Sequence, residues 1–221
     1  MRNIINIAPE GYRIILYSLL IWIITYLFSI YLDYSWIELL SIYLFYLFIL
    51  ICYFFRDPIR KVINDNGDFL SPADGRIISI ENYDDEQIGK SIKIAIFLSV
   101  LNVHRQWIPL NAKVIETTYN PGKFFGAFKN KASDKNEQTS IIFQDDKENI
   151  FKIKQIAGFV ARRIVNHMDK NLDVNQGDKL GFIKFGSRVE IIVPANFKVK
   201  VRKGMKVRGC KTIIGSFSND I

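Results

Sequence analysis

Cysteine and histidine are scarce in this chain, whose 221 residues hold two of each. Cys52 and Cys210 are isolated, with nothing at metal-ligand spacing, so neither a disulfide framework nor a metal site is expected. A cleaved signal peptide fits badly too. Two apolar runs occur instead of one, and no small-residue cleavage site follows them. Acidic and basic side chains are missing from both runs, Ile14 to Leu32 (19 residues) and Leu39 to Phe55 (17 residues). At about 1.5 Å per residue, each crosses or nearly crosses a hydrocarbon core of roughly 30 Å. Both are rich in Ile, Leu, Phe and Tyr all round, which leaves little polar face for water. Residues 1–55 therefore read as a transmembrane helical hairpin, with helices about 14–32 and 39–55. A partly re-entrant hairpin stays open because the second run is short.

What charge there is lies elsewhere. The chain carries +8 overall; residues 1–55 contribute −1 and residues 56–221 contribute +9. Arg2 and Arg13 precede the first run, Arg56, Arg60 and Lys61 follow the second, and the short connection holds only Asp33 and Glu38. The positive-inside rule then puts both ends in the cytoplasm. A basic domain tethered at a bilayer is drawn to anionic lipid headgroups, a better account of the charge than nucleic acid.

Beyond Arg56 no segment keeps a 3.6-residue period for three turns, which argues against a helical domain. Instead, apolar stretches separated by Gly, Pro and Asn or Asp predict strands at 92–101, 112–118, 140–143, 151–156, 188–193 and 197–201. The expected class is mainly β, a barrel-sandwich-like domain over 56–221. An internal echo supports it: Val174-x-x-Gly177-x-x-Leu180 and Val201-x-x-Gly204-x-x-Val207 each read as strand, glycine turn, strand. Residues 123–137 lack strand character and predict a long functional loop.

Gly186-Ser187 is an ordinary turn dipeptide until its company is considered. Ser71-Pro72-Ala73-Asp74-Gly75 lies upstream, and Asn102-Val103-His104-Arg105 ends an apolar strand. One acid, one histidine and one serine are the parts of an activated nucleophile. The other histidine, His167, has a polar neighbourhood and is expected at the surface.

Three ordered motifs accompany the run Gln155-Ile156-Ala157-Gly158-Phe159-Val160-Ala161-Arg162-Arg163 and the later Phe185-Gly186-Ser187-Arg188-Val189. They are Ser71 to Gly75, Asn102 to His104 and Pro121-Gly122-Lys123-Phe124. Together they resemble the short form of bacterial phosphatidylserine decarboxylase over essentially all of residues 56–221. The resemblance implies self-cleavage. Asp74 would orient His104, His104 would take the Ser187 hydroxyl proton, and the oxygen would attack the Gly186 carbonyl. An ester, then β-elimination, would leave a β chain of residues 1–186 and an α chain, 187–221, whose Ser187 has become a pyruvoyl group. The lipid's serine amine would form a Schiff base there, carbon dioxide would leave, and His104 would donate the proton.

Longer family members carry a second histidine three residues after the first. Here Trp107 stands in that place, so His104 is expected to serve both steps. Arg162, Arg163, Lys123 and Arg188 are candidates for the substrate phosphate. The resemblance also implies a bacterial inner-membrane enzyme with its catalytic domain on the cytoplasmic side. Its partners would be phosphatidylserine, anionic lipid and the two chains of one precursor, with a homo-oligomer left open. Two alternatives remain: decarboxylation of another serine-headgroup lipid such as archaetidylserine, and a non-enzymatic membrane-tethered barrel-sandwich module.

Overall fold

The computed structural model describes residues 5–32, 34–62, 67–122, 136–158, 163–184 and 187–217. It divides into two compact units, Met1–Ile59 and Arg60–Ile221.

In the first unit, β1 (Ile5–Ile7) leads through a 3-10 turn (Pro9–Gly11) into α1 (Tyr12–Leu32) and α2 (Ser35–Phe54). The chain then returns in β2 (Arg56–Pro58), antiparallel to β1. Both helices are long and apolar enough to cross a membrane. α1 buries none of its residues fully: Ile15, Leu19 and Trp22 are half-buried, and Leu16, Ile23, Leu27 and Ile30 are exposed. The few hydroxyls on this surface are satisfied within the helix: Ser18, Thr25 and Ser29 donate to the carbonyls of Ile15, Ile21 and Tyr26 at 2.7–2.9 Å. That is how polar groups are carried where water is absent. Trp22 joins the helices into a hairpin, with ring centroids 5.0 Å from Phe45 and 6.3 Å from Phe48.

The second unit is β throughout. Its strands are β3 (Phe69–Leu70), β4 (Gly75–Asp85), β5 (Gly89–Leu98), β6 (Arg105–Trp107), β7 (Ala112–Asn120), β8 (Gln138–Gln144), β9 (Ile150–Ala157), β10 (Ile164–Asn166), β11 (Asp173–Val174), β12 (Lys179–Ile183), β13 (Ser187–Pro194), β14 (Lys198–Val199), β15 (Lys206–Val207) and β16 (Ile213–Ser216). An eight-stranded sheet runs β11-β7-β8-β9-β13-β5-β4-β15, and it is accompanied by three-stranded sheets β10-β12-β6 and β14-β16-β3. Every described pairing is antiparallel. Val189, Ile191 and Val193 of β13 meet Ile94 and Ile96 of β5, Ile153 of β9, Ile141 of β8 and Val114 of β7 in one core. Leu180 and Ile183 of β12 and Ile214 of β16 close it from the smaller sheets. The large sheet thus curls into a half-barrel around an apolar filling, the mainly β class expected.

The predicted strands all appear: four are longer by two or three residues, 92–101 lies instead at 89–98, and the last shrinks to β14. The longest strand, β4, was not predicted. Glu81, Asn82, Asp84 and Asp85 dilute its apolar alternation, and a register shift at Ile77–Ser79 breaks the period of two. The first half of the internal echo forms as read, from β11 into β12; in the second the entering strand, β14, ends two residues before Val201. Gly177 and Gly204 sit at φ of +90° and +86°, open to glycine, and each N–H returns to a carbonyl, of Ile108 and Ile77.

The two ends of the core differ. At one, Phe151 stacks on Phe143 (5.0 Å, 13°) and meets Phe69 edge-on (5.1 Å, 84°). Six residues along β9, roughly 20 Å at strand rise, lies Ala157, and there the inner face turns polar.

Candidate active site

Ser187 opens β13, the central strand. It faces Leu98 of β5 on one side and Ala157 of β9 on the other. By the alternation of a strand its side chain shares the inner face with Val189, Ile191 and Val193. Ser187 is fully buried, and its Oγ has no hydrogen-bond partner among the described residues. A buried, unpartnered hydroxyl costs on the order of 1–3 kcal/mol, so such an atom in the middle of a sheet calls for a reason.

His104 arrives from the neighbouring strand. β5 ends at Leu98, the cross-strand partner of Ser187, and the loop that follows carries the histidine. Asn102 shapes this loop: its Oδ1 accepts from Ser99 N–H at 2.9 Å and from Ser99 Oγ at 2.8 Å. The Asn102 carbonyl lies 3.0 Å from His104 Nδ1. A carbonyl can only accept, so Nδ1 carries the proton; when the ring is neutral, its lone pair is on Nε2. The imidazole is fully buried beside Phe182.

A side-chain relay fixes the backbone of His104. Gln155 faces the core two register pairs along from Ser187, opposite Val189. Its Nε2 donates to Gln106 Oε1 at 2.9 Å, and Gln106 Nε2 donates to the His104 carbonyl at 2.5 Å. Gly181 makes room for the relay: a Cβ there would stand 2.7 Å from Gln155 Nε2 and 2.3 Å from the Val165 carbonyl.

Asp74 is placed differently from its expected role. Its carboxylate is bound by both Nη atoms of Arg60, at 2.5 and 2.7 Å, and by Gly209 N–H at 2.8 Å. The contact by which Asp74 would orient His104 is not formed among the described residues. A planar guanidinium matches a carboxylate at two points, which a single imidazole N–H cannot do. Arg60 also lies 4.3 Å from the centre of the Trp107 ring, so the residue standing in place of a second histidine stacks on the arginine that holds Asp74. The Ser71–Gly75 loop still reaches the histidine segment, because Trp107 N–H donates to the Pro72 carbonyl at 2.9 Å.

Among the anion-binding candidates, Arg163 is exposed. Arg188 is buried on the face of β13 opposite Ser187, with Nη2 2.7 Å from Glu190 Oε1. Its Nε and Nη1 are buried without partners among the described residues. Gly186, Arg162 and Lys123 lie outside the described residues. His167 is exposed, as expected, with Nε2 3.4 Å from Arg105 Nη1.

Sequence reasoning missed Arg60, Gln106 and Gln155 as parts of this site. Arg60 was counted only as a charge flanking the hairpin. Gln155 stood within the family-like run and is a polar residue at a core position of a strand, a signal that could have singled it out.

The phosphatidylserine decarboxylase family model matches residues 47–215. A phosphatidylserine decarboxylase proenzyme of Wolbachia pipientis wMel is 40% identical over 221 residues, covering 97% of this chain and 93% of the relative. The protein of the same name from Ehrlichia ruminantium (strain Gardel) is 39% identical, covering 95% and 90%. Another, from Chlorobium phaeobacteroides, is 42% identical over 166 residues, 75% of this chain and 78% of its own.

Proposed function

This chain belongs to the phosphatidylserine decarboxylase family, and we propose that it is a self-cleaving, pyruvoyl-dependent carboxy-lyase making phosphatidylethanolamine and carbon dioxide from phosphatidylserine. The observation that carries this reading is Ser187 itself, a buried hydroxyl without a partner among the described residues, at the first position of the central strand. Such an atom is shielded from water and committed to no other bond, which suits a group that must attack its own backbone.

In maturation, His104 Nε2 accepts the Ser187 proton and Oγ attacks the carbonyl of Gly186. The peptide bond becomes an ester, and elimination leaves a carboxylate on Gly186 and a dehydroalanine at position 187, which takes up water and releases ammonia to become the pyruvoyl group. Residues 187–221 stay in place because β13 is paired on both sides, to β5 and β9. The pyruvoyl group at position 187 supplies a ketone for the substrate amine and an electron sink for loss of carbon dioxide. His104 then returns a proton to the carbon that lost it. Asp74 acts at one remove, holding the Ser71–Gly75 loop through Arg60. Arg163, with Arg162 and Lys123, takes the phosphate; Arg188, buried against Glu190 on the opposite face of β13, is the weakest member of the candidate set.

The helical hairpin anchors the enzyme in a bacterial inner membrane. Arg2, Arg13, Arg56 and Lys61 at its ends and Asp33 and Glu38 at its tip favour a cytoplasmic catalytic domain. Its basic surface draws it to anionic lipid.

Intact-mass analysis of the purified protein tests the reading. Two chains divided after Gly186, the smaller lacking a free amino terminus, are expected. A wholly uncleaved wild-type protein from active cells overturns it.

A further inference from the structure

Ser187 has a second polar neighbour on its own face of the sheet. Ser187 pairs with Ala157, and Ala157 N–H donates to the carbonyl of Glu137 at 2.9 Å. The adjoining pair, Gln138 with Ile156, places Glu137 opposite Ala157. Directly opposed residues of antiparallel strands share a face. Leu98, Ser187, Ala157 and Glu137 therefore form one row across four strands, on the face that Ile141 and Phe143 turn to the core. Asn136 secures the row, its Nδ2 donating to the Ala157 carbonyl at 2.7 Å.

Two strand spacings, roughly 10 Å, separate the backbones of Ser187 and Glu137. In the row between them stands Ala157, whose side chain is a single methyl group. Glu137 is 6% exposed and hydrogen-bonds Tyr119. The other buried carboxylates of the β unit are engaged, among the described residues, by Arg60 (Asp74), Lys152 (Asp85) and Arg188 (Glu190). Glu137 holds no cation there. His104 thus comes to Ser187 from the β5 side and Glu137 from the β8 side.

The substrate brings the missing cation. Its serine amine arrives as an ammonium and must lose a proton before its lone pair can attack a carbonyl. We propose that Glu137 is a catalytic residue that binds this ammonium and accepts one of its protons. The N–H bond breaks, the proton passes to a Glu137 oxygen, and the electron pair stays on nitrogen. This assignment rests on the decarboxylase reading and gives the amine step a base of its own, leaving His104 for the serine and the carbon.

The test uses full-length protein in detergent: wild type, Glu137→Gln and Glu137→Asp. Three quantities are measured: processing by intact mass, turnover, and calorimetric affinity for glycerophosphoethanolamine against glycerol 3-phosphate. Glu137→Gln is expected to split into two chains as wild type does and to bind glycerol 3-phosphate unchanged. It should lose about tenfold in affinity for the amine-bearing headgroup, as for one charge-assisted hydrogen bond. Turnover should fall about 100-fold or more, with Glu137→Asp recovering part of both. Wild-type turnover and amine preference in Glu137→Gln overturn the proposal. So does a Glu137→Gln chain that stays whole, which would assign the carboxylate to maturation. An uncleaved wild type is a different failure, that of the decarboxylase reading beneath.

Discussion

Arg60 holds Asp74 with both arms of one guanidinium, at 2.5 and 2.7 Å, and the same Nη1 reaches the Gly209 carbonyl at 2.9 Å. Gly209 N–H answers with a 2.8 Å bond to Asp74. Arg60 and Asp74 precede the proposed cut, and Gly209 follows it. The cluster therefore clamps the future small chain onto the large one. With side chains only 5% and 11% exposed, the pair behaves as buried, and removing one partner strands a charge. Asp74→Ala should cost about 3–5 kcal/mol and loosen the small chain, seen as a lower thermal midpoint and its loss on gel filtration. Arg60→Ala and Asp74→Ala should be far from additive in the double variant. Additive effects would show that the clamp does not act as a unit.

His104 is expected to be needed before any lipid is met. His104→Ala should stay whole by intact mass, because the imidazole that accepts the Ser187 proton is then gone. Ser187→Ala should stay whole and inactive as well. Normal cleavage with normal turnover in His104→Ala would remove the imidazole from the site.

Gly181 gives the relay a test that touches no reacting atom. An alanine Cβ would press on Gln155 Nε2 and the Val165 carbonyl, and crowding of this kind costs about 1–3 kcal/mol. If Gln155 and Gln106 set the position of His104, Gly181→Ala should slow self-cleavage more than its loss of stability explains. Time courses of processing, compared with urea midpoints, separate the two effects.

Much of this was legible because it lives in local pattern. The apolar runs at 14–32 and 39–55, the alternation of β8, β9 and β13, and the paired glycine turns at 177 and 204 are written in consecutive residues. What escaped depends on pairing between distant strands. Nothing near Glu137 in the sequence says that it stands in line with Ser187, since that follows only from the registers of β8, β9 and β13. The partner of Asp74 was likewise hidden. Arg60 reads as a charge flanking the hairpin until the fold brings its guanidinium onto Trp107.

Cys210 lies beside the same clamp, and burial pushes its thiol up to about 12, with Asp74 adding to the rise and Arg60 opposing it. A thiol so far above neutrality holds almost no thiolate. Iodoacetamide at neutral pH should leave Cys210 unmodified in the folded protein and modify it after denaturation, as peptide mass mapping would show. Asp74→Ala, by loosening the clamp, should expose it.

Asp85 and Lys152 predict how the domain responds to acid. Burial by itself would raise the Asp85 pKa, but the Lys152 ammonium, 2.5 and 2.7 Å from its two oxygens, and the N–H groups of Gln87 and Ile88 outweigh it and hold the carboxyl below its ordinary value. A carboxyl depressed in the folded state contributes its stability above the unfolded value, about 3.9, and loses it as pH falls through the lower folded value. Asp85→Asn leaves Lys152 buried without its counter-charge and should cost about 3 kcal/mol at pH 7. Urea midpoints of wild type and variant should therefore lie well apart at pH 7 and draw together below pH 4. A gap that stays constant down to pH 2 would mean that the pair does not govern acid stability.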